Sequence, residues 1–161
     1  MADVTTDVLL QNMRKVLDEL PEVIEDAIYS NEKQILQLNK NQLYDGKSIT
    51  GEDIRPYYTE DPYFKTIGQA RGYIKWKHSI TPNSKRNPNA PNLYINGYFH
   101  RSLRLAKESG GIFIISNLTG KMANDVVDKY ENILGLTPDN LEKINNEIII
   151  PKIWELLAKY V

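Results

Sequence analysis

A chain of 161 residues with 41% hydrophobic and 25% charged residues has the size and make-up of one globular domain, which excludes a disordered or fibrous architecture. The absence of cysteine excludes disulfide stapling, thiolate metal sites and a cysteine nucleophile together. Net charge is only −1, yet residues 1–61 carry a net −7, residues 62–107 a net +9 with no acid at all, and residues 108–161 a net −3. Such segregation points to nucleic-acid contact, to a basic surface docking on an acidic one, or to pairing of the basic middle with the acidic ends inside one fold.

The first twenty residues are broken by Asp3, Asp7, Arg14, Lys15, Asp18 and Glu19, so neither a signal peptide nor a membrane span is expected. Leu9, Met13, Val16 and Leu20 follow alternating steps of four and three, widened by Val8 and Leu17, and predict an amphipathic helix. Pro21 predicts a kink or a restart. A second helical run carries Val23, Ile24, Ala27, Ile28, Ile35, Leu38 and Leu43, with acids in its first turns. Residues 44–63 change to Gly- and Pro-punctuated turns, and helical spacing returns through Phe64, Ile67, Ala70 and Ile74 to end near Trp76.

Residues 81–92 contain three prolines and four asparagines without apolar periodicity and predict an exposed loop. Asn96-Gly97 opens a short element through Phe99 and Leu103. A β-hairpin then runs from Leu103–Ala106 through Ser109-Gly110-Gly111 into Ile112–Ile115. Val126, Val127, Tyr130, Ile133 and Leu134 predict a helix stopped by Gly135, and Thr137-Pro138 caps another through Ile148 that Pro151 kinks or breaks. The expectation is one α+β domain: a helical arm over 1–43, a loop- and strand-containing centre over 44–120 and a helical tail over 121–161, packed around a small antiparallel sheet.

The residues supply no catalytic constellation. His78 and His100 are the only histidines, each beside cations that disfavour the imidazolium a general base must become, so both are read as surface or interface residues. They are far apart, which leaves no metal motif and no implied cofactor. Asp45, Glu52, Asp53, Glu60 and Asp61 break calcium-loop spacing and read as turn residues, with a peptidoglycan-hydrolysing carboxylate pair as a remote alternative. Gly120-Lys121 lacks the first glycine and the Ser/Thr of a phosphate-binding loop, and Asn117-Leu118-Thr119 matches a glycosylation acceptor by chance. In the basic middle Tyr73, Trp76, Tyr94, Tyr98 and Phe99 interleave with the cations, a mixture that binds nucleic acid by stacking and charge.

The segment Pro91-Asn92-Leu93-Tyr94-Ile95-Asn96-Gly97-Tyr98-Phe99-His100-Arg101-Ser102-Leu103 resembles the signature of phage minor structural proteins of the tail-completion and head-to-tail connector (neck) family, with Asn96 where threonine is usual. The order of elements is similar to that family's, and Leu43-Tyr44-Asp45-Gly46-Lys47 and Ile133-Leu134-Gly135-Leu136-Thr137 resemble segments of such proteins. The resemblance implies a non-enzymatic virion protein, made in the bacterial cytoplasm, that forms a homo-oligomeric ring against portal, connector or tail proteins, with DNA in its channel. Lys75, Lys77, Lys85, Arg86, Arg101 and Arg104 are then the candidates to face a neighbouring subunit or DNA. The alternative is a small cytoplasmic nucleic-acid-binding protein acting through residues 62–107.

Overall fold

The computed structural model describes residues 5–119 and 125–160. It is α+β: helices at both ends of the chain and one two-stranded antiparallel sheet. The helices are α1 (Thr6–Ser30), α2 (Glu32–Tyr44), α3 (Ile67–Ile80), α4 (Tyr98–Ser102), α5 (Pro138–Ile144) and α6 (Ile150–Tyr160). The strands are β1 (Leu103–Glu108) and β2 (Gly111–Ser116). Where the sequence suggests one domain, the chain divides into two compact units: Met1–Ile35 with Leu141–Val161, and Leu36–Asn140 between them.

In the first unit α1 packs against α6. Asn12 Nδ2 donates to the Tyr160 carbonyl at 2.7 Å, and Lys159 Nζ reaches Glu19 Oε2 at 2.9 Å. The Tyr160 hydroxyl donates to the other Glu19 oxygen. These bonds run the two helices antiparallel. Val16 and Ala27 of α1 and Leu156 of α6 are buried in their seam. Of the kink or restart expected at Pro21, the restart does not occur: helix α1 continues through it, and the chain breaks ten residues later at Asn31. There the side-chain amide takes the Ala27 carbonyl at 2.8 Å and competes with the helical ladder.

Pro151 does not break the C-terminal helix either. Proline has no N–H for the carbonyl four residues back and crowds it sterically. The chain absorbs this with a π-helical turn over Asn145–Ile149, whose end is marked by the Ile150 N–H donating to Asn145, five residues back. Ile144 and Ile148 thereby stay buried on both sides of the irregularity.

The second unit is built on α2, α3 and the loops around them, with Leu43, Ile54, Ala90 and Ile133 completely or almost completely enclosed. The hairpin has the predicted turn, with Leu103 opposite Ser116 and Glu108 opposite Gly111. Leu103 and Ile114 face the core. Helix α3 begins where Thr66 Oγ1 accepts the Gln69 N–H at 3.2 Å and Gln69 Oε1 accepts the Lys65 N–H at 2.9 Å, a reciprocal cap. It runs one turn past the predicted end at Trp76 despite Gly68 and Gly72. The buried Ala70 and Lys77 anchor one face of it.

The helix expected over residues 126–134 is a correction. Among the described residues only 125–127 are helical, and turns follow. Of the five expected apolar positions Ile133 is buried, Val126, Tyr130 and Leu134 are half-buried and Val127 is exposed, and the backbone carbonyls go elsewhere. Asn39 Nδ2, buried on α2, donates to Ile133 O at 3.2 Å and Gly135 O at 2.5 Å, and the Ile49 N–H takes Asn132 O at 2.8 Å. Gln42 adds a bond to Gly135 O at 3.1 Å and accepts the Thr137 N–H at 2.9 Å. A hidden polar face of α2 therefore substitutes for a helical ladder. Asn39→Leu strands the Ile133 carbonyl and leaves Gly135 O with its bond from Gln42, and urea unfolding is expected to show a loss of about 1–3 kcal/mol; a loss below about 0.5 kcal/mol is contrary to this role.

The loop over 81–92 is likewise not the exposed segment expected. Thr81, Arg86, Ala90, Pro91 and Asn92 are buried. Its asparagines form turns by accepting the N–H two residues on: Asn83 from Lys85, Asn87 from Asn89 and Asn92 from Tyr94, at 2.9, 3.0 and 3.2 Å. The loop closes on the Arg86 guanidinium, which donates to Ala90 O at 2.8 Å and Thr81 O at 3.4 Å. The Arg86 stem in turn lies over Gly46, where a Cβ would come within 3.0 Å of Cγ and where φ is +72°. Glycine is required there on both counts.

Candidate assembly surfaces

The first unit leaves a broad apolar face uncovered. Leu10, Met13, Leu17, Leu20 and Ile24 follow steps of three and four, the spacing of a helix–helix seam. This row lies roughly 30–110° around α1 from the line through Val16 and Ala27, with Leu20 and Ile24 half-buried and the other three exposed. Leu17 is 64% exposed and Met13 52%. On α6, Ile150 and Trp154 sit beyond the packed line of Leu156 and Tyr160, with Trp154 66% exposed. Because antiparallel helices turn in opposite senses when viewed from one end, both rows open on the same side of the pair. Val8, Leu9 and Leu10 extend the apolar surface beyond Asn12, the position bonded to the end of α6.

Leu10, Met13, Leu17 and Trp154 are each half or more exposed, a concentration beyond the singly scattered hydrophobics of a typical monomer surface. Reading α1 as one stripe of Leu9, Met13, Val16 and Leu20 merges two rows. Only Val16 of those four is fully buried. The second row was legible in the 3-4-3-4 spacing starting at Leu10.

The six candidate cations do not form one surface. Lys75 on α3, Lys85 in the 81–92 loop, Arg101 on α4 and Arg104 on β1 are exposed. Lys77 and Arg86 are corrections: at 1% and 3% exposure they can face neither a neighbouring subunit nor DNA. Lys77 Nζ donates to the Tyr94 carbonyl, and burial, followed by repulsion from Arg86, pushes its pKa down to about 8. Arg86 Nε has no partner. Nothing in a run of basic residues separates those that hold carbonyls inside the fold from those that meet solvent.

His78 is exposed as expected, whereas His100 is buried, its Nε2 donating to Asn92 O at 2.9 Å, and so is not a surface histidine. Of the acids of residues 45–61, Asp45, Asp53, Glu60 and Asp61 are tied into local structure, and Glu52 is exposed. Asp53 accepts from Lys47, Tyr57 and Asn87 at 2.7, 2.9 and 2.9 Å. Burial alone would raise its pKa, but these bonds outweigh burial and hold it below the ordinary aspartate value. Glu60 pairs with Arg55, and Asp61 with Lys129.

Aromatic rings line a groove of about 670 Å³ along α3, where Tyr73 lies 5.2 Å from Phe64 and 5.3 Å from Trp76. Among the described residues no group of three His, Asp or Glu is placed to hold a metal ion, and no helix is long and apolar enough to cross a membrane. Gly120, Lys121 and Met122, where the phosphate-loop comparison falls, lie outside the described residues. Comparison with protein families, with curated proteins and with solved structures returned no match.

Proposed function

We propose that this chain is a structural virion protein of a bacteriophage, of the tail-completion or head-to-tail connector kind, assembling in several copies as a ring at the junction of head and tail. The observation that carries the reading is the exposed apolar face shared by α1 and α6, with nothing over it among the described residues. The sequence signature over Pro91–Leu103 supplies the phage context. Its asparagine-glycine step sits at the start of α4, where Gly97 has a φ of +76° and Asn96 Oδ1 accepts the Tyr98 N–H at 3.1 Å.

Ring closure requires each copy to present two complementary surfaces. Exposed acids Asp18, Glu22 and Asp26 of α1 are opposite in sign to the exposed cations of residues 62–107, so head-to-tail contact between copies brings unlike charges together. The competing reading, a nucleic-acid-binding protein acting through the whole basic segment, loses Lys77 and Arg86, two of its nine cations, to the interior.

The reading is tested by peptide mass spectrometry of purified phage particles together with electron microscopy of the isolated protein. The chain is expected in particles at several copies each and as rings in isolation. A protein absent from particles and never annular overturns it.

A further inference from the structure

We propose that the cleft between the C-terminal half of α2 and α4 binds a phosphate group, carried either by a nucleic-acid backbone or by a free phosphate compound. The cleft, about 230 Å³, is walled by Lys40 and Tyr44 of α2 on one side and by Tyr94, Gly97, His100 and Arg101 on the other. That is smaller than the ~300–1,000 Å³ of pockets enclosing drug-sized ligands, and suits an ion-sized group.

No carboxylate lines it, and among the described residues neither Lys40 nor Arg101 takes part in an ion pair. A third cation stands behind the wall, because the carbonyl of Tyr94 holds the Lys77 ammonium. His100 registers the resulting potential. Burial first, and then Lys40 and Lys77, push its pKa down, against the bond to Asn92 O. Burial accounts for most of that shift, and the smaller part, from the positive charges of Lys40 and Lys77, is the part that favours an anion in the cleft.

Gly97 keeps the site open. A Cβ there would lie 2.8 Å from Arg101 Nη1 and 3.1 Å from the Tyr94 ring, filling the place where guanidinium and ring cross the backbone. Arg101 uses Nη1 on Asn96 O at 3.0 Å and lies over the Tyr98 ring at 4.9 Å. These contacts fix the guanidinium plane while leaving further N–H donors for a phosphate, the anion whose paired oxygens an arginine fork matches.

The test titrates the full chain with inorganic phosphate at constant ionic strength, following backbone amide resonances. Amides of residues 40–44 and 94–101 are expected to shift with phosphate. Lys40→Gln with Arg101→Gln weakens binding about tenfold or more, the effect of losing about 1.4 kcal/mol of charge-assisted bonding. Lys40→Arg retains binding, and Arg104→Gln, a cation lost outside the cleft, leaves it within about twofold. A short DNA duplex that binds more tightly than phosphate, and loses that excess in the double variant, identifies a nucleic-acid backbone as the source. A duplex that binds no better identifies a free phosphate compound. Cleft amides that do not move, or an equal loss in Arg104→Gln, overturn the proposal.

Discussion

Replacing Met13 and Leu17 together by glutamate is expected to leave a folded protein that no longer associates. Both side chains are more than half exposed, on the row of α1 turned away from Val16 and Ala27, so the helix pair keeps its seam. Between copies the consequence is large. Each variant contact loses the burial of two long apolar chains, about 1.5–3 kcal/mol apiece, and gains carboxylates that must be desolvated or excluded. Affinity is expected to fall by about a thousandfold or more. Sedimentation velocity and far-UV circular dichroism check the two halves of the statement: mass falls to a single chain while helicity is unchanged. An unaltered assembly places the interface elsewhere on the protein.

The second large effect concerns Lys77. Its ammonium is enclosed with one carbonyl partner and no acid, and its pKa of about 8 lies below the 10.5 of an exposed lysine. As pH falls through 10.5 the unfolded chain takes up this proton first. The folded chain follows only near 8, so the group's contribution to stability declines between those values and the full penalty, about 3 kcal/mol, persists below pH 8. Lys77→Met removes the titration at the cost of the bond to Tyr94, about 1–3 kcal/mol. At pH 7 the variant is therefore expected to be as stable as the parent or up to about 2 kcal/mol more stable. The difference between the two should then move in the parent's favour as pH rises from 8 to 9.5. Denaturant unfolding at those pH values measures it, and parallel stability curves contradict it.

Apolar spacing announced α1, α3 and the terminal helices, and the Ser109-Gly110-Gly111 turn announced the hairpin. Local signals decide such elements, since a helical period or a turn dipeptide needs no distant partner. The features that were not legible depend on polar groups acting at long range. Asn39 and Gln42 look like ordinary exposed positions of α2 until the carbonyls of residues 133–135 are placed on them. Arg86 reads as a surface cation in a proline- and asparagine-rich loop, yet the loop closes around it. Pro151 reads as a kink or a break, and a sequence does not show that a π turn can absorb its missing N–H.

The surfaces divide in the same way. The expectation of no nucleophile–base pair rests on two histidines among cations. That the exposed apolar row of α1 is distinct from its packed row required the position of α6. Arg101 was picked out as a basic residue, but its neighbours Lys40 and His100 come from segments about sixty residues apart, and only the fold joins them in one cleft.

Copies of this chain are expected to associate through exposed apolar surface to build a closed structure. Native mass spectrometry of the purified full chain tests it most directly. The account predicts a discrete species at an integer multiple of 18.5 kDa that persists on dilution and is lost when Met13 and Leu17 are replaced by glutamate. A species at 18.5 kDa alone, at every concentration up to the limit of solubility, would contradict it.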